Sequence, residues 1–123
     1  MKTKILLLVG FLISPIAFAD ECKLKTLKGT YIYNSSMYGV QAGMVVYDGK
    51  GNFKIKYQPS NKADLQSFSG TYSIDSNCIA TQKTSEGTIV RLFVSPEGKE
   101  YSWVVINKKE SGYTKRVSKK KLF

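Results

Sequence analysis

Apolar and polar residues alternate along most of this chain with a period of two. In NFKIKYQ, Phe53, Ile55 and Tyr57 fall on one face of the segment and two lysines fall on the other. The segment KEYSWVVIN alternates in the same way, and aromatic and β-branched residues are frequent in both. This period is that of a β-strand, and strands favour these residue types. Helical spacing is absent, so the sequence predicts an all-β protein.

Short clusters of turn residues separate these runs. Asp48-Gly49-Lys50-Gly51 is the clearest hairpin turn, and further clusters fall at 75–77, 85–87, 96–98 and 109–112. One longer connection, 59–64, interrupts the regular spacing. The prediction is about eight strands, near residues 29–34, 38–47, 52–58, 66–74, 78–83, 88–95, 100–107 and 112–118.

The tripeptide Gly-Thr-Tyr occurs twice, at 29–31 and 70–72, and a Ser/Asn/Asp cluster follows each copy. Later in each copy comes a glycine-centred turn and an aromatic strand, as DGKGNFKI and then PEGKEYSWVV. Chance recurrence of a common tripeptide is the alternative to a repeat. The matching flanks favour the repeat, and we predict two similar antiparallel meanders of about four strands each.

An open sheet of eight strands would leave two unpaired edges, which closure removes. We therefore predict a small antiparallel meander barrel, with a two-sheet β-sandwich as the alternative. The interior of an eight-stranded barrel is just wide enough to be filled by side chains or to hold one small ligand. Eight Tyr, one Trp and the four Phe residues that lie beyond residue 19 supply bulk for such an interior, and core packing is the role expected of most of them.

Residues 1–19 have the pattern of a secretory signal peptide. Two lysines precede a nine-residue apolar run, and Ala17-Phe18-Ala19 fits the small-x-small cleavage pattern. The run is too short to cross a bilayer as a helix. We therefore expect an exported protein, periplasmic or secreted, that is cleaved near Ala19. Its barrel domain would cover 20–118, followed by a basic C-terminal tail at 119–123.

Cys22 and Cys78 are the only cysteines in the chain. In an oxidising compartment the default for such a pair is a disulfide. A bridge that closes so long a loop would contribute on the order of 4 kcal/mol to stability. A redox or metal-binding pair is the alternative, but the chain has no histidine and no CxxC motif. We predict one disulfide, no metal site and no cofactor.

Positive charge is concentrated at the C-terminus. Residues 108–123 hold seven of the nineteen Lys and Arg residues and a single acidic residue, Glu110. Such a cluster suits an anionic membrane surface or an envelope polyanion, and a solvated tail is the alternative. Nucleic acid is not a predicted partner, because no recognised binding motif accompanies the cations and export argues against it.

Five segments carry a resemblance to a known family, namely LKGTY, YDGKGNF, SGTYSIDSNC, FVSPEGKEYSWV and a closing Gly112–Val117 of the form G-x-x-x-R-V. Together they resemble a family of small exported bacterial proteins with paired GTY and DGxG motifs. The family is similar in architecture to calycin-type or allene-oxide-cyclase-type barrels, and it has no established activity. The resemblance covers nearly the whole mature chain and implies a fold rather than a chemistry. One departure is Pro96-Glu97-Gly98, where the family usually has Asp-Gly.

Histidine is the usual catalytic acid or base near neutral pH, and this chain has none. Most acidic residues fall in predicted turns, which gives them a structural role. We therefore predict no enzyme, although carboxylates or a tyrosine at the barrel mouth remain an alternative. Arg91 is unusual because its neighbours are apolar. It either points outward over apolar neighbours or points inward and anchors an anionic group.

The expected function is a binding module for a small apolar or amphipathic ligand, with a small anionic ligand as a further possibility if Arg91 points inward. The candidate ligand-binding residues are Arg91, Tyr57, Tyr72 and Trp103. The alternative function is an inhibitor-like interaction protein that acts on an envelope component or another protein through its outer surface and basic C-terminus. A cavity of a few hundred cubic ångströms would favour the first of these functions.

Overall fold

The computed structural model describes residues 21–35 and 41–117, which form a closed barrel of antiparallel strands. A 3-10 turn at Leu24–Thr26 precedes the barrel. The strands are β1 (Lys28–Ser35), β2 (Gln41–Asp48), β3 (Asn52–Pro59), β4 (Gln66–Ile74), β5 (Ile79–Thr84), β6 (Ile89–Val94), β7 (Glu100–Val105) and β8 (Ser111–Arg116). Each strand pairs with its neighbours in sequence, and β1 pairs with β8 to close the ring.

The predicted all-β class and the meander barrel are therefore confirmed, and the two-sheet sandwich is not the fold. The strand bounds agree with the predicted ones to within about three residues where the structure describes them. The predicted signal peptide at 1–19 and the basic tail at 119–123 lie outside the described residues. Within those residues, no helix is long and apolar enough to cross a membrane.

The predicted hairpin turns are held by side-chain oxygens. Asp48 Oδ1 accepts hydrogen bonds from the backbone N–H groups of Lys50 and Asn52, at 2.7 and 3.0 Å. Asp75 Oδ1 accepts in the same way from Asn77 and Ile79, at 2.9 and 3.0 Å. Short Asp side chains stabilise turns by such local bonds, which is why the turns could be read from the sequence.

The two Gly-Thr-Tyr copies fall in β1 and β4, three strands apart, so they do not divide the eight strands into the two predicted meanders of about four strands each. The second copy also lies inside its strand, since β4 begins four residues before Gly70. Gly70 permits a close approach between strands. A Cβ at this position would overlap the carbonyl oxygen of Lys83 and lie 2.8 Å from Cε1 of Phe53.

The inward side chains of all eight strands form one core. Tyrosine is prominent in it, because Tyr31, Tyr47, Tyr72 and Tyr101 are all buried. Tyr47 packs edge-on against Tyr31 and Tyr72, with ring centroids 5.3 and 5.1 Å apart. Edge-to-face pairs of this kind are worth about 0.5–1.5 kcal/mol beyond the area they bury. The tyrosine cluster thus fills the middle of the barrel and separates one end from the other.

Candidate functional site

The residues before β1 cover one end of the barrel, and we call residues 22–27 the plug. Leu27 and Cys22 are buried in the core. The Tyr72 hydroxyl lies 2.8 and 2.9 Å from the carbonyl oxygens of Leu24 and Leu27 and shares its one hydrogen between them. Cys22 is bonded to Cys78 just before β5, with the two Cα atoms 5.1 Å apart. The predicted disulfide is confirmed, and it fastens the plug to the barrel wall.

A cavity of about 240 Å³ occupies the opposite end. It is bounded by the far ends of the strands and by the β5–β6 and β7–β8 turns. Its walls are apolar, with Val45, Ile55, Val90, Leu92 and Val105 all contributing. The plug covers the other end of the barrel, and we call this cavity the cup.

Aromatic rings form the upper wall of the cup. Tyr33 and Trp103 meet edge-on with ring centroids 5.7 Å apart, and Tyr57 and Phe68 meet in the same way at 5.7 Å. All four line the cavity and are only partly buried. Partly exposed aromatic rings around an apolar cavity offer faces and edges to a flat apolar ligand.

The floor of the cavity, defined as Tyr47, Gln82 and Tyr101, is polar. The Tyr47 hydroxyl donates to Gln82 Oε1 at 2.7 Å and lies 2.6 Å from the Tyr101 hydroxyl. Gln82 and Tyr101 line the cavity directly, and Tyr47 supports them from below. A polar floor under apolar walls is the arrangement by which many small-molecule sites orient a ligand.

The floor carries no charge at neutral pH. Burial raises the pKa of the Tyr47 hydroxyl well above the ordinary value for tyrosine, and the neighbouring Tyr101 raises it further. Burial also raises the pKa of Tyr101, although its hydrogen-bonding contacts with Tyr47 and Thr114 act in the opposite direction. Both hydroxyls therefore keep their hydrogen atoms.

Among the described residues that line the cavity, charged groups lie only at its rim. The rim consists of Glu86 from the β5–β6 turn and of Lys108 and Glu110 from the β7–β8 turn. Glu110 Oε2 accepts a hydrogen bond from the Gln41 amide at 2.6 Å, and Gln41 Oε1 accepts one from Tyr33 at 3.1 Å. Burial is the main reason that the pKa of Tyr33 is raised, with smaller contributions from Tyr57 and Glu110.

The structure brings two of the four candidate ligand-binding residues to this cavity. Tyr57 and Trp103 line it from β3 and β7. Tyr72 lies at the other end, where its hydroxyl binds the plug.

Arg91 lies on the outer face of β6, because Val90 and Leu92 on either side of it point inward and line the cavity. The inward orientation considered from the sequence is therefore not the one in the structure. Arg91 is half-buried between Thr81 of β5 and Val104 of β7, and its Nε atom is buried without a hydrogen-bond partner among the described residues.

Sequence reasoning missed three buried polar residues that point inward beside the cavity, namely Gln82, Thr84 and Thr114. The β5 segment ATQKT has polar residues on both faces, so alternation gives little indication of which face is buried. One sequence signal was present. Gln82 and Thr84 follow Ala80 at intervals of two residues, so all three share a face of β5, and Lys83 lies on the opposite face.

Over residues 21–35 and 41–117, no group of three or more His, Cys, Asp or Glu side chains is placed to hold a metal ion. The fold and the cavity define a small closed barrel with a plug at one end and a cup at the other. Comparisons of the chain with protein-family models, with curated proteins and with solved structures find no match. The resemblance to small exported proteins with paired GTY motifs stays a prediction.

Proposed function

We propose that this barrel is a binding module that holds a small, largely apolar ligand in the cup. The observation that supports this function is the cavity of about 240 Å³ with apolar and aromatic walls. A barrel built only for stability would gain by filling this space, since lost packing contacts carry a free-energy cost. The partly buried rings of Tyr57 and Trp103 would supply much of the contact with the ligand.

The volume limits the size of the ligand. A cavity of about 150 Å³ holds one benzene ring, so 240 Å³ corresponds to about ten non-hydrogen atoms. Naphthalene is a suitable probe, because it has this size and no polar group. A longer ligand would extend past the rim into solvent.

Naphthalene is expected to bind the wild-type protein and to shift the NMR signal of the Trp103 indole N–H. Trp103 is the only tryptophan in the chain, so this signal needs no assignment by mutation. Val90→Phe is expected to weaken binding at least tenfold, because Val90 lines the cavity and the larger ring would occupy it. The measurement is a titration followed by NMR, with thermal unfolding to show that the variant folds.

Ile89→Phe is the matched control for this experiment. Ile89 neighbours Val90 on β6 but is exposed on the outer face, so the same aromatic side chain would leave the cavity open. It should bind naphthalene like the wild type. Failure of the wild-type protein to bind naphthalene, or equal binding by Val90→Phe, would contradict the proposed function.

A second candidate function, contact with an anionic membrane surface, is favoured by the outer face of β1 and β2. Ile32, Met44 and Val46 form an apolar stripe there and are 53%, 45% and 44% exposed. Exposed lysines flank the stripe on both sides. In the strand register, Lys115 lies opposite Ile32, Lys56 opposite Met44 and Lys54 opposite Val46. Apolar side chains bordered by lysines suit a surface of anionic lipid headgroups over acyl chains.

The wild-type protein is then expected to sediment with vesicles of phosphatidylglycerol and phosphatidylcholine at low salt, and not with phosphatidylcholine alone. Val46→Glu should reduce the bound fraction several-fold, since it places a negative charge in the stripe. Val104→Glu is the matched control, because Val104 is similarly exposed but lies on β7 beside Arg91. Equal binding by both variants, or equal binding to the two kinds of vesicle, would contradict this function. The apolar stripe on β1 and β2 would then be a candidate contact surface for another protein.

A further inference from the structure

Gln82 is the one floor residue whose hydrogen-bonding groups are only partly used. It is 5% exposed and lines the cavity from β5. Its amide oxygen accepts the hydrogen bond from Tyr47. Its amide nitrogen makes no hydrogen bond to any residue that the structure describes. Because Gln82 lines the cavity, this nitrogen is available to a ligand in the cup. A ligand that displaced water from this N–H group without supplying an acceptor would incur a free-energy cost.

The direction of the floor hydrogen bonds determines which hydrogen-bonding groups of Gln82 a ligand in the cup can use. A phenol has one hydrogen atom, and that of Tyr47 is donated to Gln82 Oε1. In the contact between Tyr47 and Tyr101, Tyr101 must therefore be the donor. The sequence of donors runs from Tyr101 through Tyr47 to Gln82 Oε1, so the donors that the Gln82 side chain still offers to the cavity are its amide N–H groups. The floor is thus a hydrogen-bond donor.

The charges around the cavity decide between a neutral and an anionic acceptor. Neither floor tyrosine ionises at neutral pH, and Arg91 lies on the outer face of the barrel. The charged groups that line the cavity are the rim residues Glu86, Lys108 and Glu110, of which two are acidic. A carboxylate at the floor would lose its water without gaining a partner of opposite charge, which is costly. A neutral oxygen carries no such cost.

We infer that the cup selects ligands with a neutral hydrogen-bond acceptor, such as the carbonyl oxygen of an aryl ketone or aldehyde, which the Gln82 amide binds at the floor. The aromatic walls contact the ring, and the carbonyl group points down the barrel axis towards Tyr47. This inference rests on the proposed function and adds the chemical class of the ligand to it.

Acetophenone and α-methylstyrene are the probes that test it. They have the same shape, but the first has a carbonyl oxygen where the second has a methylene group. The wild-type protein is expected to bind acetophenone about fivefold to tenfold more tightly, the value of one buried hydrogen bond. Benzoate, the anionic counterpart, should bind more weakly than acetophenone at neutral pH.

Gln82→Met keeps the length of the side chain and removes the donor, so the preference for acetophenone should disappear while α-methylstyrene binds as before. Thr84→Val is the matched control. Thr84 is also buried, lines the cavity and lies two residues along the same face of β5. Its hydroxyl accepts a hydrogen bond from the Thr88 N–H at 3.0 Å in the β5–β6 turn, so it lies nearer the rim than the floor. Thr84→Val should retain the preference.

A second measurement does not depend on a variant that folds. In the wild-type protein, acetophenone should shift the NMR signals of the Gln82 side-chain N–H₂ group, whereas α-methylstyrene should not. Equal affinity for the two probes, or tighter binding of benzoate, would overturn the inference and leave the proposed function intact. Absence of binding by both neutral probes would overturn the proposed function as well.

Discussion

Replacing both Cys22 and Cys78 with serine is expected to lower the free energy of unfolding by about 4 kcal/mol. The disulfide joins residues 56 positions apart, and a cross-link over a loop of this length removes much conformational freedom from the unfolded chain. In the native state it also fastens the plug to the wall beside β5. A domain of this size has a net free energy of unfolding of only about 5–15 kcal/mol, so the loss would be a large fraction of its stability. Urea unfolding of the two proteins would measure it.

The wild-type protein unfolded in the presence of a thiol reductant is the control. It keeps both sulfur atoms in the buried positions of Cys22 and Cys78 and loses only the covalent bond. Its stability should fall nearly as far as that of the double serine variant. A change below about 1 kcal/mol in both cases would show that the plug stays in place through its other contacts alone.

Gly98→Ala is expected to be the most damaging of the single substitutions that add one methyl group. Gly98 lies in the β6–β7 turn with a φ of +72°, and its carbonyl oxygen accepts a hydrogen bond from the Tyr31 hydroxyl. A Cβ there would overlap the backbone carbonyl of Thr26 in the plug. The left-handed backbone costs about 1–2 kcal/mol for a residue other than glycine, and the overlap adds about 1–3 kcal/mol.

Gly87→Ala separates these two costs. Gly87 has a φ of +93° but no other atom within 4 Å of its hypothetical Cβ. Gly87→Ala should therefore lower the free energy of unfolding only by the cost of the left-handed backbone, about 1–2 kcal/mol. The difference in unfolding free energy between the two variants measures how firmly the plug is seated against the turn. Equal destabilisation would mean that the plug moves aside without cost.

Local patterns were sufficient to predict most of the barrel. The strand at Gln66–Ile74 has the predicted bounds, because turn residues lie at both of its ends and the residues between them alternate. The plug could not be predicted in this way. Its residues have no periodicity, and the burial of Leu27 depends on the width of the barrel end that it fills. That width follows from the closure of β1 on β8, which is a property of the whole sheet.

The site was only partly predictable for a related reason. Alternation assigns a side chain to a face of a strand but gives no depth along the barrel axis. Tyr57 and Tyr72 both point inward, yet one lines the cup and the other binds the plug. At Arg91, both faces of IVRLFV are apolar, so the pattern could not decide which one is buried. In the structure, Ile89 and Phe93 lie on the outer face of β6 with Arg91 and are exposed.

Ring closure between β1 and β8 has a consequence for how the protein is made. A ribosome releases β1 first and β8 last, so the opening strand keeps one unpaired edge until translation is nearly complete. The bridge between Cys22 and Cys78, in contrast, needs only the chain as far as the start of β5. Oxidation can therefore precede closure and tether the nascent N-terminal half in a loop. The final strand then joins an edge whose position is already restricted.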